Sequence, residues 1–234
     1  MKISVVITAY NEEVYLPHCL KALGAQDFPK ENFEIIVVDN NSTDKTAEIA
    51  KDFGARVIEE KRQGYVFGLN TGMYAAGNEI IAVTDADTIV AQDWLTEINR
   101  AFGNEKVVAV TGLNDKSFQL RILSPFVSLL SHSLLKLTFA LGKPNLCGFN
   151  FAVRREVFHQ IGGLDLRFKM SPDVDLGMRL TKLGQVKYVP SMRVTTSPRR
   201  WQDNPLKTFI EYTKGYVSAT ILRRPPSVKQ KVIR

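Results

Sequence analysis

The feature that most constrains this chain is a regular alternation, through its first half, of short β-branched runs with helix-like segments. ISVVIT (3–8), FEIIVV (33–38), ARVIE (55–59), EIIAVT (79–84) and VVAVTG (107–112) read as strands. The strongest of them are apolar on both faces, as a parallel sheet covered on both sides requires. Between them EEVYLPHCLKALGAQ (12–26), DKTAEIAKDFG (44–54), YVFGLNTGMYAAG (65–77) and QDWLTEINRAFG (92–103) read as helices, several ending at Gly. The order is βαβα, so the expected fold class is α/β, with an open, mostly parallel, Rossmann-like sheet flanked by helices.

Sheets of this kind bind ligands beyond the carboxyl ends of their strands. Those ends carry Thr8 to Glu12, Asp39 to Asp44 and Asp85 to Asp87, so three polar clusters are expected on one edge. In TAYNEE, Tyr10 is placed to stack on a base, and Asn11 or Glu12 to reach a ribose hydroxyl. In VVDNNSTDKT, Asp39 and Asn40 emerge at the next strand end; Ser42 and Asp44 suit N-capping of the helix that follows.

IIAVTDADTIV (80–90) leaves the core and at once places Asp85 and Asp87 on either side of Ala86. Two carboxylates so spaced can share one hard divalent cation, Mg²⁺ or Mn²⁺, which takes oxygen ligands and completes its shell with substrate phosphates. Capping of the next helix is the alternative on this triplet alone.

The second half is less regular. Residues 118–141, FQLRILSPFVSLLSHSLLKLTFAL, form a long apolar helix candidate containing Pro125. Its longest uncharged span, Ile122 to Leu135, is 14 residues. A bilayer needs roughly 20. It either packs on the domain or also touches membrane or a lipid-linked acceptor. A strand at LCGFNFAVR (146–154), a Gly-rich turn GGLDLRF, a helix PDVDLGMRLTKLG (172–184) and a strand VKYVP follow. PLKTFIEYTKGYVSATILRR (205–224) reads as a basic amphipathic helix, with a loose tail after it.

The 234 residues suit one larger domain with an appendage, 1–204 and 205–234. Cys19 and Cys147 lack the paired spacing of a zinc cluster and read as buried thiols. Of the net charge of +7, the basic excess lies in the tail: from Arg193 onward ten Lys and Arg stand against Asp203 and Glu211. An anionic partner such as a phosphate or an acidic membrane fits that charge. Nucleic acid does not, because no reading motif or interleaved aromatics accompany it. MKISVVITAYNEE has only about five apolar residues before it turns polar, too few for a signal-peptide core. The expected location is therefore cytoplasmic, peripheral at the inner face of the plasma membrane if the tail binds lipid.

TAYNEE, EIIVVDNNSTDKT, GLNTGMYAAGNEIIAVTDADT, GFNFAVRREVFHQIGGLD and PDVDLGMRLTKLG, in that order, resemble the inverting nucleotide-sugar glycosyltransferases of family 2, which have the GT-A fold. The likeness runs from about residue 3 to residue 201. It implies a nucleotide-sugar-binding half (1–112) and an acceptor-binding half (113–204), with UDP- or GDP-sugars as the expected donors. By this resemblance Thr8, Tyr10 and Glu12 hold the nucleoside, with Asp39 and Asn40 near the base. Asp85 and Asp87 form the DxD motif, Asp87 the more direct ligand of Mn²⁺ or Mg²⁺ on the diphosphate. Asp173 is the general base, and Arg199, Arg200 and Trp201 match a segment that some members fold over the diphosphate.

The implied activity is metal-dependent, inverting transfer of a sugar to a hydroxyl acceptor, lipid-linked or a polysaccharide. Three positions depart from the family pattern. Pro172 stands where a Glu usually precedes the base, leaving Asp175 as the rival acid; Asn40 stands where many relatives carry Asp; and Thr195 or Thr196 replaces a frequent His. A nucleotidyltransferase usually carries a Gly-rich basic loop after its first strand, and TAYNEE has neither Gly nor Lys. A dinucleotide dehydrogenase is discounted for want of GxGxxG there. A non-catalytic sugar-nucleotide or membrane-binding module is the remaining alternative, motivated by Pro172 and the basic tail.

Overall fold

The computed structural model describes residues 1–114, 133, 135–199 and 205–225. Among these, eight strands form one sheet: β1 (Ile3–Ala9), β2 (Phe33–Asp39), β3 (Arg56–Glu59), β4 (Ile80–Asp85), β5 (Thr88–Val90), β6 (Val107–Asn114), β7 (Asn150–Arg154) and β8 (Gln185–Thr196). Their spatial order is β3-β2-β1-β4-β7-β6-β8-β5. The first four run parallel, β7 lies antiparallel between β4 and β6, β8 runs parallel to β6, and β5 pairs antiparallel with β8. The sheet is therefore mostly parallel, as expected.

Strand β1 shows why both faces must be covered. Ile3, Val5, Ile7 and Ala9 enter one apolar core and Val6 the opposite one. Successive side chains of a strand point to opposite faces, so a run apolar at consecutive positions feeds two cores. On the first face lie α1 (Leu16–Gly24), α2 (Thr46–Asp52) and α4 (Trp94–Ala101), which bury Leu16, Leu20, Leu23, Ala50, Trp94, Leu95 and Ile98. On the second lie α3 (Tyr65–Ala75), α5 (Arg155–Gln160) and α6 (Pro172–Leu180), which bury Val66, Leu69, Met73, Phe158, Leu176 and Leu180. Each such aliphatic side chain contributes about 1.5–3 kcal/mol by leaving water.

Helix α3 sits unusually close to the sheet. A Cβ added to Gly68 would lie 2.5 Å from Thr8 Cγ2, and one added to Gly72 would lie 2.5 Å from Val6 Cγ1. Two glycines four residues apart put both gaps on one face of the helix, so its first turn comes down beside the carboxyl end of β1.

The helices are shorter than their sequence patterns. The segment read as 172–184 is helical over Pro172–Leu180, and the one read as 205–224 divides into α7 (Pro205–Val217) and a wider turn, Ser218–Leu222. The strand read at 146–154 begins only at Asn150, while VKYVP extends to a 12-residue strand ending at Thr196. Most of the apolar segment read at 118–141 falls outside the described residues; 135–140 is helical. Among the described residues no helix is long and apolar enough to cross a membrane.

Candidate functional site

The register brings the predicted clusters to one edge. Thr8 lies beside Asp85 on one neighbouring strand and Val38 on the other, and Ala9 lies beside Asp39. Thr84 pairs with Asn150, so Gly148, two residues before Asn150, also belongs to the sheet end that carries Asp85. Strands β5 and β8 pair through Thr88 and Thr196, which delivers Arg199 three residues later.

The loops after β1 and β2 are stitched together by side chains. Asn11 N donates to Ser42 Oγ at 3.0 Å, and Thr43 N donates to Asn11 Oδ1 at 2.8 Å. Glu12 N donates to Thr46 Oγ1 at 2.7 Å, and Glu13 N to Asp44 Oδ2 at 3.1 Å. Asn11 (φ 54°) and Asn41 (φ 74°) are left-handed, a conformation Asn tolerates better than most residues. Asp44 also accepts from Thr46 N at 3.0 Å, which satisfies a free donor at the start of α2. Burial pushes the Asp44 carboxyl up, and its hydrogen bonds from Thr46 and Glu13 together hold it below its ordinary value.

Asn40 is spent on the scaffold. Its side-chain nitrogen donates to Glu60 O and Arg62 O, both at 2.8 Å, and its Oδ1 accepts from Gly64 N at 2.8 Å. All three contacts fasten the loop between β3 and α3 to the end of β2. Asp39, beside it, lines a cleft of about 410 Å³ with Asn41, Ser42, Glu59, Glu60 and Lys61. Its Oδ1 accepts from Ser42 N at 3.3 Å.

The centre of the edge is a cluster of acids around one arginine. Arg199 Nε donates to Asp87 Oδ2 at 3.0 Å, its other arm donates to Glu12 Oε1, and its guanidinium lies 4.7 Å from the centre of the Tyr15 ring. Thr196 Oγ1 donates to Asp87 Oδ1 at 3.4 Å. Glu12 is 8% exposed and its Oε2 has no hydrogen-bond partner among the described residues. Burial raises the Glu12 carboxyl above its ordinary value, with Arg199 opposing. Nearby, burial pushes the Cys19 thiol far up, and the charges of Asp87, Asp85 and Glu12 add to it. Two carboxylates, Glu12 and Asp87, thus face one guanidinium, and Asp85 adds a third to the same strand edge.

That surplus of anionic oxygen fits a hard divalent cation. Among the described residues no three His, Cys, Asp or Glu side chains are grouped to hold one. Asp85 and Asp87 would be its protein ligands, with phosphate oxygens and water completing the shell.

Asp173 lies in the first turn of α6, entered through Ser171 at φ 56°. A Cβ added to Gly148 would fall 3.1 Å from Asp173 Oδ2 and 3.2 Å from Tyr65 Oη, so the missing side chain leaves room beside both. Tyr65 Oη donates to Gly148 O at 3.3 Å. Asp175 is separated from this pair and accepts from Arg179 Nε at 2.8 Å. Asn150 serves the core: it accepts from Trp94 Nε1 at 2.9 Å and donates to Met192 O at 2.8 Å.

Of the predicted residues, Glu12, Asp87 and Arg199 meet directly. Thr8, Asp39 and Asp85 share their edge, and half-buried Tyr10 follows β1. Arg200 and Trp201 lie outside the described residues. Tyr15 and Tyr65 were missed; each is an aromatic at a helix start just past the binding edge, which was the available signal.

A mostly parallel sheet flanked by helices on both faces, with acidic residues gathered at its strand ends, is the architecture of a GT-A-type glycosyltransferase domain. The family profile described as Glycosyl transferase family 2 matches residues 4–162, and the chain belongs to that family. Glycosyltransferase AglE of Haloferax volcanii is 26% identical over 234 residues, covering 95% of this chain and 75% of its own length. The mannosyltransferase PcManGT from Pyrobaculum calidifontis, solved with GDP-Man and Mn²⁺, superposes with a TM-score of 0.71 at 21% identity, over 90% of this chain and 62% of that one. Glucosyl-3-phosphoglycerate synthase from Mycobacterium tuberculosis, solved with Mn²⁺, UDP and phosphoglyceric acid, gives 0.66 at 20% identity, over 97% and 80%. At these identities the structures establish the GT-A fold. The chain spans about half, 52%, of another curated relative that it matches.

Proposed function

We propose that this chain is a metal-dependent, inverting glycosyltransferase that moves a sugar from a UDP- or GDP-linked donor to a hydroxyl acceptor. The observation that carries this reading is the meeting of Glu12, Asp87 and Arg199 on the edge that also bears Asp39 and Asp85. The nucleotides bound in the two solved relatives, the sugar donor GDP-Man in one and UDP in the other, support the same class.

Each residue then has a task that follows from its chemistry. Tyr10 offers a ring face to the base, and the Asp39 carboxylate, an acceptor only, suits a base that presents a ring N–H. Asp85 and Asp87 would hold a divalent cation, whose positive charge would offset charge growing on the departing diphosphate. Arg199 supplies further positive charge to that diphosphate. Asp173, beside the space left at Gly148, takes the proton of the acceptor hydroxyl. A base so placed contributes roughly 10²- to 10⁴-fold. Attack from its side displaces the diphosphate in one step and inverts the anomeric carbon.

A lipid-linked acceptor gains support from the far end of the chain. Leu137, Leu141, Ile221 and Leu222 are exposed beside Lys143, Arg223 and Arg224, and Tyr216 Oη donates to Lys143 O at 3.3 Å, which joins the two segments. Apolar and cationic side chains together suit an anionic bilayer surface. Sedimentation with anionic vesicles that weakens with salt supports attachment; salt-independent or absent sedimentation opposes it.

The test of the activity is incubation with a panel of UDP- and GDP-sugars and Mn²⁺, following release of free nucleotide with water as acceptor. One donor is consumed, with inversion seen by NMR, and Asp173→Asn slows it by about 10²- to 10⁴-fold. Retention of configuration, or indifference to Asp173→Asn, contradicts the reading. Nucleotide binding without turnover of any donor, with water or with a panel of hydroxyl acceptors, assigns the chain to the non-catalytic alternative.

A further inference from the structure

The acidic cluster poses a problem of charge. Asp87 is the residue expected to bind the cation, yet both of its carboxylate oxygens are engaged from the end of β8: Oδ2 by Arg199 Nε at 3.0 Å and Oδ1 by Thr196 Oγ1 at 3.4 Å. The backbone joins in, since Ser197 N donates to Asp87 O at 3.2 Å. The same guanidinium reaches Glu12 and covers Tyr15. Its side chain is only 22% exposed, so these are not loose surface pairs.

A divalent cation on Asp87 and a guanidinium on the same carboxylate oxygen exclude each other by space and repel by charge. An arginine that stayed in place would therefore oppose the cation that the site needs. Removing it with nothing in exchange is also unfavourable, because buried Glu12 and half-buried Asp87 would be left without a countercharge. A diphosphate resolves both difficulties. It brings anionic oxygens that take over the guanidinium bidentately and that share the cation with Asp87.

We propose that Arg199 is a built-in stand-in for the cation: it neutralises Glu12 and Asp87 in the donor-free chain and yields Asp87 only when a diphosphate offers it a new partner. This inference rests on the donor-site reading above and adds an order to it. The cation alone binds weakly, and cation and diphosphate bind with positive coupling. Tyr15 is a positioning residue in this scheme, because its ring face holds the guanidinium against the two acids.

The test is a titration of Mn²⁺ into the full chain without nucleotide, read from loss of the free-ion EPR signal. The Arg199→Gln chain binds Mn²⁺ about 10-fold or more tightly than wild type, within the range common for coupled sites. Adding Asp87→Asn to that variant abolishes the gain. Tyr15→Leu, which leaves every charge in place, shifts affinity in the same direction by less. In wild type, UDP or GDP raises Mn²⁺ affinity, and this increase shrinks in Arg199→Gln.

An Arg199→Gln chain that melts cooperatively and binds Mn²⁺ no better than wild type overturns the proposal. Should that variant fail to fold, Tyr15→Leu decides it: unchanged Mn²⁺ affinity overturns the stand-in role, and increased affinity supports it. A gain that survives Asp87→Asn also overturns it. Failure of the donor-site reading has a separate signature, the absence of nucleotide binding in every variant, whereas the stand-in role is read from Mn²⁺ alone.

Discussion

Arg199 donates from Nε to Asp87 Oδ2 across 3.0 Å, joining residues 112 positions apart. That contact ties the end of β8 to the DxD turn and draws Glu12 in from the end of β1. The sheet supplies the positions of these residues; the ion cluster makes them one unit.

Asn40→Asp is expected to destabilise the chain even though many relatives carry Asp there. The two hydrogen bonds that the amide donates to Glu60 O and Arg62 O become contacts between a carboxylate and two carbonyls. The cost is about 2–4 kcal/mol, read as a lower midpoint in urea unfolding at neutral pH. An unchanged midpoint would show that the loop between β3 and α3 does not depend on this amide.

Asp175→Asn separates the two acids of α6. Asp175 is held by Arg179 at 2.8 Å, away from Gly148, so donor turnover in this variant stays within about an order of magnitude of wild type. Turnover lost to the same extent as in Asp173→Asn would reverse the assignment of the base.

Gly148→Ala places a methyl group 3.1 Å from Asp173 Oδ2 and 3.2 Å from Tyr65 Oη. Turnover is expected to fall about 10-fold or more, because displacements below 1 Å at a reacting group are costly. Nucleotide affinity, measured by calorimetry, should not change. Equal losses in both would mean that the substitution disturbs the whole edge.

Glu60 gives the fold a pH signature. Hydrogen bonding from Arg62, opposed by burial and aided by Thr71, pushes its carboxyl down to about 2 from 4.5. A carboxyl lowered in the folded state stabilises above its unfolded value, and that stability is lost as pH falls from 4.5 towards about 2. Arg62 is exposed, so solvent screening discounts its share of that stabilisation. Glu60→Gln should therefore be less stable than wild type at pH 7, with the difference closing across that acidic window in urea titrations.

The sequence made the first half of the fold legible because β1, β2 and β4 are apolar at consecutive positions, and only a sheet covered on both faces accepts that pattern. Strand β5, three residues long, and the extension of β8 to Thr196 were not legible, since β5 pairs with β8 and the end of β8 is set by pairing with both β5 and β6, residues distant in sequence. Helix α5, REVFHQ, is too short to show a period. In the site, Asp85 and Asp87 stood out by spacing, whereas Asp173 and Arg199 stood out only through family resemblance. Asn40 shows the limit of such reasoning: its place at the binding edge was legible, but its commitment to three backbone groups depends on a loop some 20 residues away.

The central claim is that this edge binds a nucleoside diphosphate through a cation held by Asp87. The most direct measurement is calorimetric titration of UDP, GDP and dTDP into the full chain, each with and without Mn²⁺, repeated on Asp87→Ala. One nucleotide should bind, and its binding should be lost when either Mn²⁺ or the Asp87 carboxylate is removed. Binding that survives both removals, or no binding of any nucleotide with the metal present, would contradict the account.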